Sequence, residues 1–234
     1  MGGLIFSEIA LEWIQGEALK DMRILAFLSA VIFLAGCVAF QVAGDVQKGR
    51  MELLYGDPGV ALAHFQRAAE SNPEYRLNYS LVREGVWTYV GRAYYNQGKM
   101  AEARKALERA RTQDSHDSLA ALYLGLALAR EGDRRRGLRE IETGLRGLAE
   151  WLDYLRWYHP DGRFWDPTSQ LRSEIQKDLD MISGKDVHWP GLISNGEWLG
   201  RMLEEEIERA HEDKMRDRER RDRRRRSVLN HSSR

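Results

Sequence analysis

The 234-residue sequence has few of the residue types that build covalent frameworks. Its single cysteine, Cys37, excludes an intramolecular disulfide and any cysteine-rich metal module. The sequence has only five prolines, and its 36 basic and 36 acidic residues leave no net charge. No overall field therefore attracts nucleic acid or an anionic membrane. With 43% hydrophobic and 31% charged residues, the composition predicts a packed, mostly helical protein.

Motifs for catalysis and for cofactor binding are also missing. The six histidines are scattered, and no HExxH pair, P-loop, GxGxxG or GxSxG sequence occurs. Cys37 lies in an apolar run, where a thiolate nucleophile would be costly. We therefore predict no enzymatic activity, no catalytic residue, no metal, no cofactor and no small-molecule substrate.

One long apolar run is present near the N-terminus. Residues 24–44 carry no charged side chain. About 20 helical residues suffice to cross the ~30 Å hydrocarbon core of a bilayer. We therefore interpret residues 22–44 as a transmembrane helix or a lipoprotein signal, and residues 1–21 as an amphipathic segment that precedes it.

Two kinds of membrane attachment fit this run. Its length favours a retained single-pass anchor. Residues 34–37, Leu-Ala-Gly-Cys, resemble the lipobox of bacterial lipoproteins, and the segment that begins at Met22 is similar to a lipoprotein signal. This resemblance implies that Cys37 is lipid-modified, that Met1 need not be the true start, and that the protein faces the periplasm or the exterior. Basic residues flank both sides of the run, so the positive-inside rule leaves the orientation open.

The strongest signal in the sequence is an internal repeat with a period of 34 residues. Residues 84–117 and 118–151 each place small and bulky residues on two helices around a central glycine, and residues 45–75 contain the second helix of a similar unit. The residues that form the pattern are Trp87, Val90, Gly91, Tyr94, Gly98, Ala103, Leu107 and Ala110, then Ala121, Leu124, Gly125, Leu128, Gly132, Gly137, Ile141 and Gly144, and in the weaker unit Gly56, Ala61, Phe65, Ala68 and Pro73. The pattern resembles the tetratricopeptide repeat (TPR), a helix–turn–helix unit.

The resemblance implies an all-α fold, a TPR-like solenoid of helical hairpins. The apolar run adds an N-terminal transmembrane helix to this prediction, and the exposed end of a solenoid adds C-terminal capping helices. One hairpin cannot bury its own apolar face, so about three must stack. We predict three repeats within residues 45–150, over 45–75, 84–117 and 118–151. The first helix of the first repeat, over about 42–55, fits the pattern poorly.

Two regions follow the repeats. Residues 151–194 are rich in tryptophan and predict a capping region, with a helix that begins at Asp166 and Pro167. Residues 195–234 predict a solvated charged helix with an Arg-rich tail, in which the acidic run 204–206 is a helix face. A partner-binding role for the aromatic residues is the alternative to packing. The residues expected to pack in the cap are Trp151, Tyr154, Leu155 and Tyr158.

In the TPR family, partners bind along fixed positions of each first helix, so the resemblance implies a groove in this chain. The basic, aromatic and leucine side chains at these positions suit an amphipathic helix or an extended peptide of acidic character. Packing of the leucines under the C-terminal cap is the alternative. The candidate groove residues are Thr88, Arg92, Tyr95, Asn96, Leu119, Leu122, Leu126, Ala129 and Arg130.

Together these patterns predict a membrane-tethered TPR scaffold that binds a protein or peptide partner in the assembly of an envelope or membrane complex. One alternative is a structural subunit of a larger membrane complex that has no separate peptide-binding groove. A second alternative is binding of nucleic acid or anionic lipid by the Arg-rich tail, although the interspersed acidic residues weaken it.

Overall fold

The computed structural model describes residues 39–77, 84–184 and 186–232. These residues contain eight α-helices, one short 3₁₀ helix and no β-strand, so the all-α prediction is confirmed. No helix within them is long and apolar enough to cross a bilayer. The predicted segment 1–21, residues 22–38 and Cys37 lie outside the described residues. The helices are α1 (39–55), α2 (Pro58–Ser71), α3 (Val86–Asn96), α4 (Met100–Gln113), α5 (Ser118–Glu131), α6 (Arg134–Tyr158), the 3₁₀ helix (Gly162–Phe164), α7 (Gln170–Ser183) and α8 (Trp189–Ser232).

Aspartates and glycines define where several helices begin and end. Asp57, Asp117 and Asp133 are the N-caps of α2, α5 and α6, and their carboxylates accept hydrogen bonds from amides of the first turn. Gly98 and Gly132, in the turns after α3 and α5, have φ angles of +76° and +98°, a left-handed conformation that favours glycine. These two turns are 34 positions apart, which equals the predicted period.

Consecutive helices form three hairpins, α1 with α2, α3 with α4, and α5 with α6, and neighbouring hairpins pack in chain order. In each hairpin a glycine of the first helix faces a bulky residue of the second. A Cβ atom on any of these glycines would overlap its partner, so the helices approach closely only because the side chain is absent. The two members of each pair are 16 positions apart. The pairs are Gly49 with Phe65, Gly91 with Leu107, and Gly125 with Ile141.

The described part of α1 belongs to the folded domain. Val42 and Val46 are buried in an apolar core together with Phe65 and Tyr89. Val42, which lies near the end of the predicted membrane segment 22–44, is therefore part of the protein core. A larger core begins at α3 and α4 and extends through α5, α6 and α7 to α8.

A loop separates the first and second hairpins, and its base is closed by backbone hydrogen bonds. The Leu77 amide donates to the Glu84 carbonyl over 2.8 Å, and the Val86 amide donates to the Tyr75 carbonyl over 2.9 Å. Residues 78–83 lie outside the described residues. The closed base holds Glu84 at the start of α3, where its side chain is buried.

Two local predictions in the capping region are wrong. The helix expected at Asp166 begins at Gln170, although the Asp166 carboxylate still accepts a hydrogen bond of 2.9 Å from the Leu171 amide. Tyr154 and Tyr158, expected to pack in the cap, are 54% and 78% exposed. The reason is that α6 continues without a break to Tyr158 and turns these two side chains outward.

Candidate functional site

The nine candidate groove residues divide into a buried set and an exposed set. Asn96 and Arg130, at the C-terminal ends of α3 and α5, are exposed. The buried residues are Thr88, Arg92, Tyr95, Leu119, Leu122, Leu126 and Ala129. Most of the face predicted to receive a partner is therefore covered within the protein.

The cover is α8, which crosses the first helices of all three hairpins. A Cβ atom on Gly196 would lie 3.0 Å from Leu126 Cδ2 and 3.5 Å from Leu122 Cδ1, and one on Gly200 would overlap the Tyr123 ring. Glycine at these two positions lets α8 approach α5 closely. The fully buried apolar residues of α8 in the same core are Leu192, Leu199 and Leu203.

Beneath α8, two buried arginines from different hairpins meet one buried glutamate. Arg92 donates to Glu204 Oε1 and, over 3.0 Å, to the carbonyl of Gly200. Arg50 Nε donates to Glu204 Oε2 over 2.9 Å, which connects α1 to the same carboxylate. The side chains of Arg50, Arg92 and Glu204 are at most 2% exposed. Burial alone would raise the pKa of Glu204, but the charges of Arg92 and Arg50 lower it below its usual value.

A second carboxyl group, Glu84, completes this buried charge cluster. Glu84 Oε2 lies 3.6 Å from Arg92 Nη1. Burial, reinforced by the negative charge of Glu204, raises the pKa of Glu84 to about 8. Glu84 is therefore mainly protonated at neutral pH, because Glu204 already holds both arginines. We call Arg50, Glu84, Arg92 and Glu204 the buried charge cluster.

At the other end of the contact, α8 is held by a more accessible set of polar side chains. The Tyr95 hydroxyl donates to Glu197 Oε1 over 2.5 Å and accepts from Arg130 Nε over 2.6 Å. Arg130 also forms an ion pair with Glu197. An open cleft of about 470 Å³ adjoins this contact, and its remaining lining residues are Pro58, Asn96, Gly98, Met100, Tyr123 and Arg201.

Thr88 has a different role from the other candidate residues. Its hydroxyl donates to Asp117 Oδ2 over 2.6 Å, and the Gly85 amide donates to the same oxygen over 3.3 Å. Asp117 also caps α5 through the Ala120 amide. Thr88 therefore joins the second hairpin to the third.

Sequence reasoning missed the residues through which α8 binds, namely Arg50, Glu197 and Glu204. The sequence predicts a helix face without a defined partner for the acidic run 204–206, yet Glu204 and Glu206 are buried. One signal was available. Gly196, Gly200 and Glu204 recur every four residues and thus lie on one helix face, beside Leu199 and Leu203.

The described residues contain no group of three or more His, Cys, Asp or Glu side chains arranged to hold a metal ion. Comparisons with protein-family models, with curated proteins and with solved structures give no match to this chain.

Proposed function

We propose that this protein is a membrane-tethered, TPR-like scaffold that acts as a structural subunit of a membrane complex. In this proposal the concave groove is reserved for the protein's own α8, and contacts with other subunits use the outer surfaces. The observation that carries the proposal is the filling of the groove by α8, with charged side chains buried on both sides of the contact.

The TPR-like part of the proposal is supported by contacts that recur with the repeat. The glycine-to-bulky pairs have the same spacing in all three hairpins, and the left-handed glycines Gly98 and Gly132 are one period apart. The hairpin of α1 and α2, whose first helix fits the sequence pattern poorly, contributes one of these pairs. A solenoid of three hairpins is the simplest arrangement that accounts for these contacts.

The strength of the α8 contact argues against an open peptide groove. Burying one leucine side chain is worth about 1.5–3 kcal/mol, so three of them hold α8 in the groove with roughly 5–9 kcal/mol before ordering costs. A tethered helix also has an effective concentration of roughly millimolar, which a free partner must overcome. The buried residues counted here are Leu192, Leu199 and Leu203.

The size of the solubilised particle tests the structural-subunit proposal. The chain has a mass of 27.1 kDa. After extraction from its native membrane in a mild detergent, we expect it to sediment in a particle several times larger than this mass plus its detergent. A monodisperse monomer would contradict the proposal.

A crosslink tests whether α8 must leave the groove for the protein to join its complex. Arg130→Cys and Glu197→Cys, joined by a short bismaleimide, would hold the end of α5 against α8 at an accessible ion pair that contributes little stability, about 0–1 kcal/mol. We expect the crosslinked protein to enter its native complex as well as the uncrosslinked double variant does. Loss of the complex on crosslinking, with the complex intact when the same reagent is applied to each single variant, would show that α8 must leave the groove; these single variants control for reaction at Cys37.

The second candidate function is therefore a scaffold whose groove binds an acidic amphipathic helix of a partner after α8 moves out. The open cleft beside Tyr95, Asn96 and Arg130 favours it, because a partner could make its first contacts there without displacing the leucines. α8 itself has the chemistry expected of such a ligand, with Glu197 and Glu204 on the face that meets the groove.

A further inference from the structure

α8 continues well beyond its last polar contact with the rest of the protein. Among the described side chains, its last ion pair to another element joins Asp217 to Arg163. From there α8 extends to Ser232, which at 1.5 Å per residue is a length of about 22 Å. The side chains described between residues 218 and 226 are all exposed. We call residues 218–232 the α8 arm.

The α8 arm carries a high positive charge. Residues 218–226 contain seven arginines and two acidic residues, Glu219 and Asp222. In the sequence the acidic residues lie between arginines, which weakens the attraction expected for a polyanion. In the helix, however, they are three positions apart and therefore share one face.

Within residues 218–226, the face opposite this acidic pair contains only arginines. At 3.6 residues per turn, Arg220, Arg221 and Arg224 are centred nearly opposite to the two acidic residues, and we call these three the arginine face. Arg221 forms an ion pair of 2.9 Å with Asp217, one turn earlier. Within the described part of the chain, Arg220 and Arg224 form no ion pair or hydrogen bond, so both guanidinium groups are available to a ligand.

The arginine face is directed away from α1. Glu208 of α8 forms an ion pair of 2.9 Å with Arg50 of α1. Glu219 and Asp222 follow Glu208 by 11 and 14 positions, about three and four helical turns, so the acidic face of the arm is on the side of α1. A ligand on the arginine face therefore lies on the opposite side of α8 from the helix in which the predicted membrane segment ends. Charged side chains are costly in hydrocarbon, so a bilayer that holds α1 must lie beside the arm and not across its end.

The composition of the arm limits the class of its ligand. Residues 218–226 contain no apolar residue. A protein partner needs apolar or aromatic anchors, and a helix that lies on a membrane needs an apolar face, so neither is favoured. A nucleic acid needs neither, because neutralisation of its phosphates releases counterions and supplies the affinity. The major groove of B-form DNA, about 12 Å wide, also accepts an α-helix of about 10–12 Å diameter.

We propose that the α8 arm binds the phosphate backbone of double-stranded DNA through its arginine face. Contacts with phosphates carry no direct information about base sequence, so the binding is independent of sequence. The whole chain is neutral, and the attraction is therefore local to the arm. The inference goes beyond the proposed function, since it adds a ligand at the end of α8, outside the groove.

The salt dependence of DNA binding tests the proposal. The full-length protein in mild detergent is titrated into a fluorescein-labelled DNA duplex of about 20 base pairs, and the anisotropy is measured between about 50 and 200 mM salt. We expect Arg220→Gln combined with Arg224→Gln to reduce the steepness of log affinity against log salt by about two. At the lowest salt concentration the affinity should fall at least about tenfold.

Two matched double variants separate position and helix face from charge. Arg135→Gln with Arg139→Gln removes the same charge from two exposed arginines of α6, which are also four positions apart. Arg218→Gln with Arg226→Gln removes it from the acidic side of the arm. We expect the α6 control to leave the salt dependence unchanged, and the second control to reduce its steepness by less than about one. Equal effects of all three double variants would overturn the assignment to the arginine face.

A competitor distinguishes DNA from an acidic protein segment. Polyglutamate with the same number of charges should displace the duplex only weakly, because it offers no groove for the helix. If polyglutamate binds as tightly as the duplex at equal salt, the arm recognises acidic polypeptides and the proposal is wrong. Absence of DNA binding at about 50 mM salt would also overturn it. None of these results changes the size of the solubilised particle, which tests the proposed function separately.

Discussion

At the scale of single residues, the buried charge cluster decides how α8 is held. Glu204 accepts from arginines of two different hairpins, whereas Glu84 stays mainly protonated beside Arg92. An ion pair inside a protein adds little stability over an apolar pair of the same shape, but removal of one partner leaves an uncompensated buried charge. The cluster therefore contributes mainly to specificity, because only a helix with a carboxylate at this position fits.

Loss of the Glu204 charge should destabilise the protein, because the buried arginines need its carboxylate. We expect Glu204→Gln to lower the free energy of unfolding by about 3–5 kcal/mol, since the buried Arg92 would lose the carboxylate to which it donates, and Arg50 would keep its ion pair with Glu208 but lose the one with Glu204. The neighbouring Glu205 is exposed, so Glu205→Gln is the matched control and should change stability by less than about 0.5 kcal/mol. Urea unfolding in mild detergent, followed by circular dichroism, measures both. Equal effects of the two substitutions would refute the role of Glu204.

The pKa of Glu84 predicts a pH dependence of stability. The pKa of the Glu84 carboxyl group is about 4.5 in the unfolded chain, its ordinary value, and burial raises this pKa to about 8 in the folded protein. Between these values the folded state binds the additional proton, so stability falls as pH rises, by at most about 1.4 kcal/mol per pH unit. Above pH 8 both states are ionised and this contribution stops changing.

Glu84→Gln should remove this contribution and flatten the stability curve between pH 4.5 and 8. Asp178, whose pKa burial raises to about 6, acts in the same direction and is unaffected by the substitution. The informative quantity is therefore the difference between the native protein and the variant at each pH. Glu102→Gln, at an exposed site, is the control. A pH-independent difference would show that Glu84 titrates in its ordinary range.

At the scale of helices, close backbone contact holds the third hairpin together. Cβ atoms on Gly125 and Gly144 of α5 and α6 would overlap backbone atoms of the partner helix, and one on Gly137 would lie 2.8 Å from the Gly125 carbonyl oxygen. Backbone atoms yield less readily than a flexible side chain. These glycines therefore set the distance between the two helices, and α8 then packs on the surface that they create.

Gly125→Ala should consequently destabilise the protein, although alanine is the better helix former. We expect a loss of about 1–3 kcal/mol from overpacking. Gly44 in α1 is the matched control because a Cβ atom there meets nothing within 4 Å. Gly44→Ala should raise stability by up to about 1 kcal/mol. Thermal unfolding of both variants measures the contrast, and a stabilising Gly125→Ala would contradict the observed helix spacing.

At the scale of the whole molecule, α8 changes how the hairpins depend on one another. In a simple solenoid each repeat contacts only its neighbours, so stability is nearly a sum of local terms. Here α8 contacts α1 through Arg50, α3 through Arg92 and α5 through Leu126. A single helix thus connects all three hairpins, and we expect them to unfold together.

Two truncations test this dependence. Among the described side chains, the last ion pair from α8 to another element joins Asp217 to Arg163. A chain that ends after Asp217 should keep a single sharp thermal transition with nearly the native midpoint. A chain that ends after His188 loses α8 and should unfold over a broad range at lower temperature. A sharp transition in the shorter chain would show that the hairpins are stable without α8.

The sequence by itself was sufficient for the all-helical class, for the positions of the turns and for the small residues that allow close helix contact. These features follow from local spacing, because a helix places residues three and four positions apart on one face and a left-handed turn favours glycine. Even α1 had such a signal, since Gly49 precedes Phe65 by the same 16 positions as in the other two hairpins.

Only the tertiary structure decided what fills the groove. The contacts of Arg50 and Arg92 with Glu204 join residues more than 100 positions apart, and no periodic pattern specifies such a pair. For the same reason, the sequence predicts an exposed Glu204, whereas the structure shows it buried. A glutamate in a highly charged helix is expected at the surface. Glu204 is buried because Arg50 and Arg92, from distant helices, provide the opposite charge. Local spacing determines which residues share a helix face, but the packing of the whole chain determines what that face meets.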